Sequence, residues 1–224
     1  MAKAKVYIEN SSYLYSQMFR AEGWLIVDNI ESSDLVQFTG GADVSPYLYG
    51  EPLHPRSHCM AERDKKEAIV FAVAARASLP MAGICRGAQF LNVMCGGSLW
   101  QDVSGHAVGT SHTILDLVTN EEFRATSTHH QMMIAGKAGK VIGVADESKW
   151  RASMSKHGKV IHHKLRDIKD FDPEIIRYPD FNALCFQPHP EFAGVPDLKN
   201  RYFNYIYKYL FPKGYIEKGT ICAA

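Results

Sequence analysis

Cys85 sits between two glycines in Gly83-Ile84-Cys85-Arg86-Gly87, where a short apolar run ends and a helix-forming stretch begins. A thiol on a sharp strand-to-helix turn is a nucleophile elbow with sulfur in place of a hydroxyl. The glycines have a physical reason, since side chains there would crowd the strained residue between them. A helix N-terminus directly behind the sulfur favours thiolate, the reactive form. Much later comes Gln187-Pro188-His189-Pro190-Glu191. His189 can serve as base, and Glu191, two residues on along an extended segment, faces the same way and can hold the imidazole tautomer. Nucleophile, base and orienter are thus all present.

The elements that must position them follow from the pattern of the first half. Strand signals at 6–8, 25–27, 35–38 and 81–84 alternate with helix signals at 16–21, 62–78 and 87–95. This order implies a mainly parallel sheet with helices on both faces. Ligands of such sheets sit at the carboxyl ends of the strands, where Gly40-Gly41 and Cys85 fall. The second half is richer in strands, clearest at 113–118, 141–145 and 183–186, and an aromatic-rich helix spans 198–210. We expect one domain over residues 1–224. Residues 149–170 carry seven Lys/Arg against two acids and read as a solvated surface excursion or hairpin. The tail after Pro212 has few packing signals.

Other chemistries are weaker. His129-His130, His162-His163 and His54…His58-Cys59 match no familiar ligand spacing, so no metal site is expected. There is no Walker loop and no Gly-x-Gly-x-x-Gly, and no cofactor is expected. The order Cys…His-x-Glu excludes the α/β-hydrolase pattern, in which the acid precedes the histidine. Thr39-Gly40-Gly41 can be a plain turn or can aim backbone N–H groups at a developing oxyanion, with the Arg86 N–H as second donor.

A net charge of +1 gives no sign of nucleic-acid or membrane binding. The longest apolar run, Ala68 to Ala75, is too short to span a membrane. No signal-peptide core precedes the first strand. Five scattered cysteines argue for a reducing cytoplasm rather than a disulfide framework.

Several segments together resemble class I glutamine amidotransferase-like proteins. They are Thr-Gly-Gly-x-Asp-Val-x-Pro-x-x-Tyr-Gly-Glu (39–51), Arg-Asp-x-x-Glu (63–67), Gly-Ile-Cys-Arg-Gly-x-Gln (83–89), Leu-Asn-Val-x-x-Gly-Gly-Ser-Leu-x-Gln-Asp-Val (91–103), Ser-x-His-His-Gln (127–131) and Gln-x-His-Pro-Glu (187–191). Within that superfamily they are most similar to the γ-glutamyl hydrolase branch, which includes the γ-glutamyl-γ-aminobutyrate hydrolases. The resemblance implies a flavodoxin-like three-layer sandwich and a Cys85-His189-Glu191 triad that cleaves a γ-glutamyl amide through a thioester. It further implies oxyanion-hole N–H groups from Gly41 and Arg86. Gln89, Ser127, His129 and His130 would line the pocket for the glutamyl amino and carboxylate groups.

Two enzyme readings remain open: a free-standing hydrolase of a γ-glutamyl small molecule, or a glutaminase subunit that passes ammonia to a separate synthetase. A third, from another class, is a catalytically silent scaffold that binds such ligands or a partner. Assembly with further copies of the chain is also left open.

Overall fold

The computed structural model describes residues 3–107, 109–164, 171–211, 216–217 and 219–221. Residues 165–170 of the basic stretch, most of the tail after Pro212 and Cys222 lie outside them. In chain order the main elements are β1 (Lys5–Glu9), α1 (Tyr13–Ala21), β2 (Leu25–Val27), β3 (Leu35–Phe38), α2 (Ala61–Arg76), β4 (Met81–Ile84) and α3 (Arg86–Met94). There follow β5 (Ser98–Trp100), β6 (Asp102–Val103), β7 (Thr110–Asp116), β8 (Glu121–Ser127), β9 (Met132–Ile134) and β10 (Lys140–Ala145). Then come β11 (Trp150–Met154), β12 (Val160–Lys164), β13 (Asp172–Tyr178), β14 (Ala183–Phe186) and α4 (Leu198–Leu210).

Nine strands form one sheet in the order β2-β1-β3-β4-β14-β13-β10-β7-β8. From β2 to β14 every pairing is parallel, and from β14 to β8 every pairing is antiparallel. The α/β class and the flavodoxin-like sandwich expected from the sequence are present, and the strand-rich second half makes the sheet mixed. β3, β4 and β14 are buried along their whole length, as strands covered on both faces must be. Their side chains alternate between two cores. Leu35, Ala82, Ile84, Leu184 and Phe186 face Phe19 of α1 and Tyr202, Phe203 and Ile206 of α4. Val36, Phe38, Met81 and Cys185 face Phe71 and Ala74 of α2 and Phe90 and Leu91 of α3.

Helix α4 buries Leu198, Tyr202, Tyr205, Ile206 and Leu210, a stripe at helical spacing. Helix α2 departs from that rule. Its buried stripe is Asp64, Glu67, Phe71 and Ala74, so two acids point inward. They are matched by Arg86, which is itself buried and ion-paired to both.

The basic stretch is a hairpin in its described part. β11 pairs with β12 and also with β6. Arg151 and Ala152 are buried, whereas β12 is largely exposed. The expectation of a surface excursion therefore holds for one strand of the hairpin and not for the other.

The turn from β4 into α3 is made by Gly83 and Gly87. A Cβ on Gly83 would stand 2.4 Å from the Gly87 carbonyl carbon, and one on Gly87 would stand 2.4 Å from the Phe38 carbonyl oxygen. Both obstacles are backbone and cannot swing aside. Gly83→Ala should therefore cost about 3 kcal/mol by overpacking. Gly96→Ala, with φ +89° but open space around it, should cost about 1 kcal/mol from backbone strain alone. Urea unfolding midpoints of the two variants check this ordering.

Candidate active site

Cys85 lies at the junction of β4 and α3 with φ 51° and ψ −112°. A non-glycine residue there is strained by about 1–3 kcal/mol and persists only where its surroundings fix it. Here the Cys85 N–H donates to the Phe186 carbonyl at 3.0 Å, and the Gln89 N–H donates to the Cys85 carbonyl at 3.0 Å. One bond locks the elbow to β14 and the other to the first turn of α3. The first N–H groups of that helix have no intrahelical partner, and Cys85 is its N-cap residue.

β14 runs beside β4 and delivers the second half of the site. Beyond Phe186 the chain turns, and His189 Nδ1 meets Glu191 Oε1 at 2.6 Å. The connection is a turn rather than an extended segment, but the two side chains still face each other. The His189 N–H donates to Thr126 Oγ1 at 2.6 Å, which ties the loop to the end of β8. Phe192 lies flat against the imidazole, with ring centroids 4.4 Å apart and planes 2° from parallel. Burial opposes charge on His189, but the adjacent Cys85 sulfur and the hydrogen bonds to Cys85 and Glu191 outweigh it. Together they raise the His189 pKa to about 10. The sulfur and the imidazole are therefore partners, which the sequence could suggest only by residue type.

The third wall is the turn after β3. A Cβ on Gly40 would stand 2.9 Å from His189 Cε1 and 3.6 Å from Cys85 Cβ, so glycine leaves room beside the imidazole and the Cys85 side chain. The Gly40 N–H donates to the Tyr15 hydroxyl at 2.9 Å. Burial and then the nearby Glu191 carboxylate raise the Tyr15 pKa, so this phenol stays protonated. Arg63 of α2 grips the turn from the other side. Its Nη1 donates to the Gly40 carbonyl at 3.0 Å, its Nη2 to the Thr39 carbonyl at 2.9 Å, and its Nε to Glu67 Oε1 at 2.7 Å. A peptide unit is planar and trans. With the Gly40 carbonyl held by Arg63, the Gly41 N–H of the same peptide points the opposite way within that plane.

Arg86 contributes in two separable ways. Its backbone N–H opens α3 next to the sulfur. Its guanidinium points away, ion-paired to Asp64 and Glu67 and donating to the Ala42 carbonyl at 3.2 Å. Burial, followed by repulsion from Arg63, lowers its pKa to about 10, so it stays charged at neutral pH.

The expected pocket residues are placed less openly. Gln89 is buried, and its amide donates to the Gln131 carbonyl and to Gln187 Oε1, each at 3.2 Å. Ser127 and His129 are buried, and burial lowers the His129 pKa to about 4. His130 is partly exposed and pinned between Asp43 and Asp102. Its hydrogen bond to Asp43 is the main cause that raises its pKa.

Tyr15, Thr126 and Phe192 carry no sequence signal that marks them as site residues. Arg63 does carry one, since it shares a helix with two acids on an otherwise apolar stripe.

The peptidase C26 family profile matches residues 20–163. A glutamine amidotransferase-like protein of Lactococcus lactis subsp. cremoris is 42% identical over 98 residues, 43% of this chain and 50% of that protein. A glutamine amidotransferase of Mycobacterium tuberculosis is 32% identical over 135 residues, 52% of this chain and 44% of that protein. The chain thus spans about half the length of the curated relatives it matches. Among solved structures, a GMP synthase subunit from Thermoplasma acidophilum superposes with a TM-score of 0.64 at 15% identity, covering 92% of this chain and 94% of that one. At that identity the likeness bears on the fold alone.

The charge on His189 depends on the sulfur beside it. Its folded pKa lies above the ordinary histidine value near 6.5, so its contribution to stability is complete below about pH 6.5. That contribution is lost as the pH rises through about 10. NMR titration of the imidazole should therefore give a midpoint near 10, and Cys85→Ala should move it clearly downward.

Proposed function

Because the chain belongs to the peptidase C26 family, we propose that it cleaves a γ-glutamyl amide bond with Cys85 as nucleophile, His189 as general acid and base, and Glu191 as orienter. The observation that carries this reading is the bonded series in which Glu191 holds His189 Nδ1 and His189 in turn meets the Cys85 sulfur at a strained elbow. The Cys85 thiolate attacks the γ-carbonyl carbon, and the carbonyl oxygen becomes an oxyanion. The N–H groups of Gly41 and Arg86 receive it. Collapse breaks the C–N bond while His189 protonates the departing nitrogen, leaving a γ-glutamyl thioester. His189 then takes a proton from water, the hydroxide attacks the thioester, and glutamate leaves as the thiolate re-forms.

Gln89 and the 127–130 segment form the wall that we assign to the glutamyl amino and carboxylate groups. Gln89 lies one helical turn from Cys85. Ser127 and His129 would act through their backbone, since their side chains are buried in other contacts. His130 would act through its partly exposed ring.

The substrate is either a γ-glutamyl amine conjugate or glutamine itself. The glutaminase-subunit reading is supported by the names of the curated relatives, which are glutamine amidotransferase-like proteins. We retain the free-standing hydrolase as the first reading because the 39–51 motif resembles that branch. Four described cysteines are unpaired, in keeping with a reducing, cytoplasmic setting. Among the described residues no helix is long and apolar enough to cross a membrane.

Glutamate release from L-glutamine and from γ-glutamyl-γ-aminobutyrate tests the reading. Cys85→Ala should lose activity by about 10³-fold or more, and residual turnover near that of the parent would sink the assignment. Preference for the conjugate supports the hydrolase, whereas weak glutamine turnover raised by an added synthetase supports the ammonia-delivering reading. Arg63→Gln frees the Gly40 carbonyl and should lower kcat by about 100-fold with little change in KM, the signature of a lost oxyanion contact. Steady-state kinetics on the preferred substrate read this split.

A further inference from the structure

A second set of chemistry-bearing side chains lies on the antiparallel side of the sheet, away from the sulfur. His106 precedes β7, His112 lies on β7, His129 follows β8, and Glu174 lies on β13. All four are buried. Three ring nitrogens converge on one oxygen, Glu174 Oε1: His106 Nδ1 at 3.5 Å, His112 Nε2 at 3.3 Å and His129 Nε2 at 3.3 Å. These separations are short, but the contacts lack hydrogen-bond alignment. Among the described residues, neither nitrogen of His112 or His129 and neither oxygen of Glu174 has an aligned partner. Buried polar atoms left so are costly and call for an explanation.

The separations have a second meaning. Ligand atoms about 2.0 Å from a zinc ion at tetrahedral angles stand about 3.3 Å from one another. The spacing of His106 Nδ1 and His129 Nε2 from Glu174 Oε1 is near that of a tetrahedron's edge, and the three ligand atoms all lie within 4.8 Å of one another. The outer contacts fit as well. His106 turns its other nitrogen, Nε2, to Asp172 Oδ2 at 3.0 Å. Asp172 also accepts from Arg151 Nη2 at 2.9 Å and from the N–H groups of Glu147 and Ser148 at 3.1 and 2.8 Å. A carboxylate that orients the far nitrogen of a ligating imidazole is the usual outer partner of a metal-bound histidine. The Ser127 hydroxyl lies 3.4 Å from His106 Nδ1, at the rim of the cluster.

We propose that His106, His129 and Glu174 bind one divalent first-row transition ion of the zinc class, with His112 Nε2 packed against Glu174 Oε1 at 3.3 Å. Imidazole nitrogen with carboxylate oxygen suits that class rather than calcium or magnesium. Three protein ligands leave a fourth position, and the burial of the set away from Cys85 makes the ion structural rather than catalytic. It would pin the β7–β8 hairpin to β13. Thr126, at the end of β8, accepts the His189 N–H, so the ion would also steady the loop that carries the base. The sequence expectation of no metal rested on neighbouring pairs such as His129-His130. This set takes one residue from each of three separated segments, before β7, after β8 and on β13, and His130 belongs elsewhere, between Asp43 and Asp102.

The test is metal analysis of the purified full chain, followed by chelation and reconstitution. We expect about one equivalent of zinc per chain, a thermal midpoint that falls on chelation and recovers on adding zinc, since an ion that binds only the folded state stabilises it. Cobalt(II) in place of zinc should give the visible absorption of a tetrahedral site. That absorption should vanish in Glu174→Gln and in His129→Gln, each checked as folded by circular dichroism, and should survive in Cys85→Ala. Failure of the folded parent chain to retain or take up zinc or cobalt would overturn the proposal. So would a cobalt spectrum that persists in both ligand variants, or one that is lost with Cys85.

Discussion

The backbone of one residue constrains the rest of this structure. Cys85 stands at φ 51°, ψ −112°, a conformation that a side-chain-bearing residue does not hold unaided. Three contacts hold it: its N–H on Phe186, the Gln89 N–H on its carbonyl, and the near-touching approach of Gly83 to Gly87 and of Gly87 to β3. Those contacts require β3, β4 and β14 to lie side by side and in register, as they do. The centre of the parallel sheet is in this sense the mount for a single sulfur. The same adjacency brings the carboxyl end of β14, and with it His189, to the carboxyl end of β4.

A buried set of charges performs the matching task for the oxyanion side. Asp64 and Glu67 of α2 face inward and are met by Arg63 and Arg86. Asp64 also accepts the Ser45 N–H at 3.2 Å, and Glu67 accepts from Asn10 at 3.0 Å. These contacts join α2, the start of α3 and the whole turn from Thr39 to Ser45. Buried ion pairs are weak contributors to stability because desolvation opposes them. Their value here is geometric, because they fix which way the Gly40–Gly41 peptide faces. Truncating one member would leave its partner charged and buried, so function and stability would fall together.

The sequence made the parallel half of the fold legible because its strands are continuous apolar runs, and 25–27, 35–38, 81–84 and 183–186 match the observed strands. β8 and β13 were not legible. Both mix charged residues with apolar ones, and Glu174 on β13 reads as a surface residue although it is buried. The elbow at Cys85 was readable from its glycines, and the His189–Glu191 contact from their spacing, because each signal is local. Tyr15, Thr126, Phe192 and the role of Arg63 are products of the tertiary arrangement. Tyr15 lies 25 residues from Gly40, and Thr126 lies 63 from His189. The buried histidines were hidden for the same reason, since their common partner is remote from each of them in the chain.

The central claim is that Cys85 becomes covalently acylated. Rapid acid quench of the protein turning over its preferred γ-glutamyl substrate, followed by peptide mass spectrometry, tests this most directly. The account predicts one glutamyl group on the peptide that carries Cys85, bound as a base-labile thioester and accumulating further when His189 is replaced by Gln under conditions where acylation still proceeds. Turnover with no adduct on that peptide, or an adduct on another residue, would contradict it.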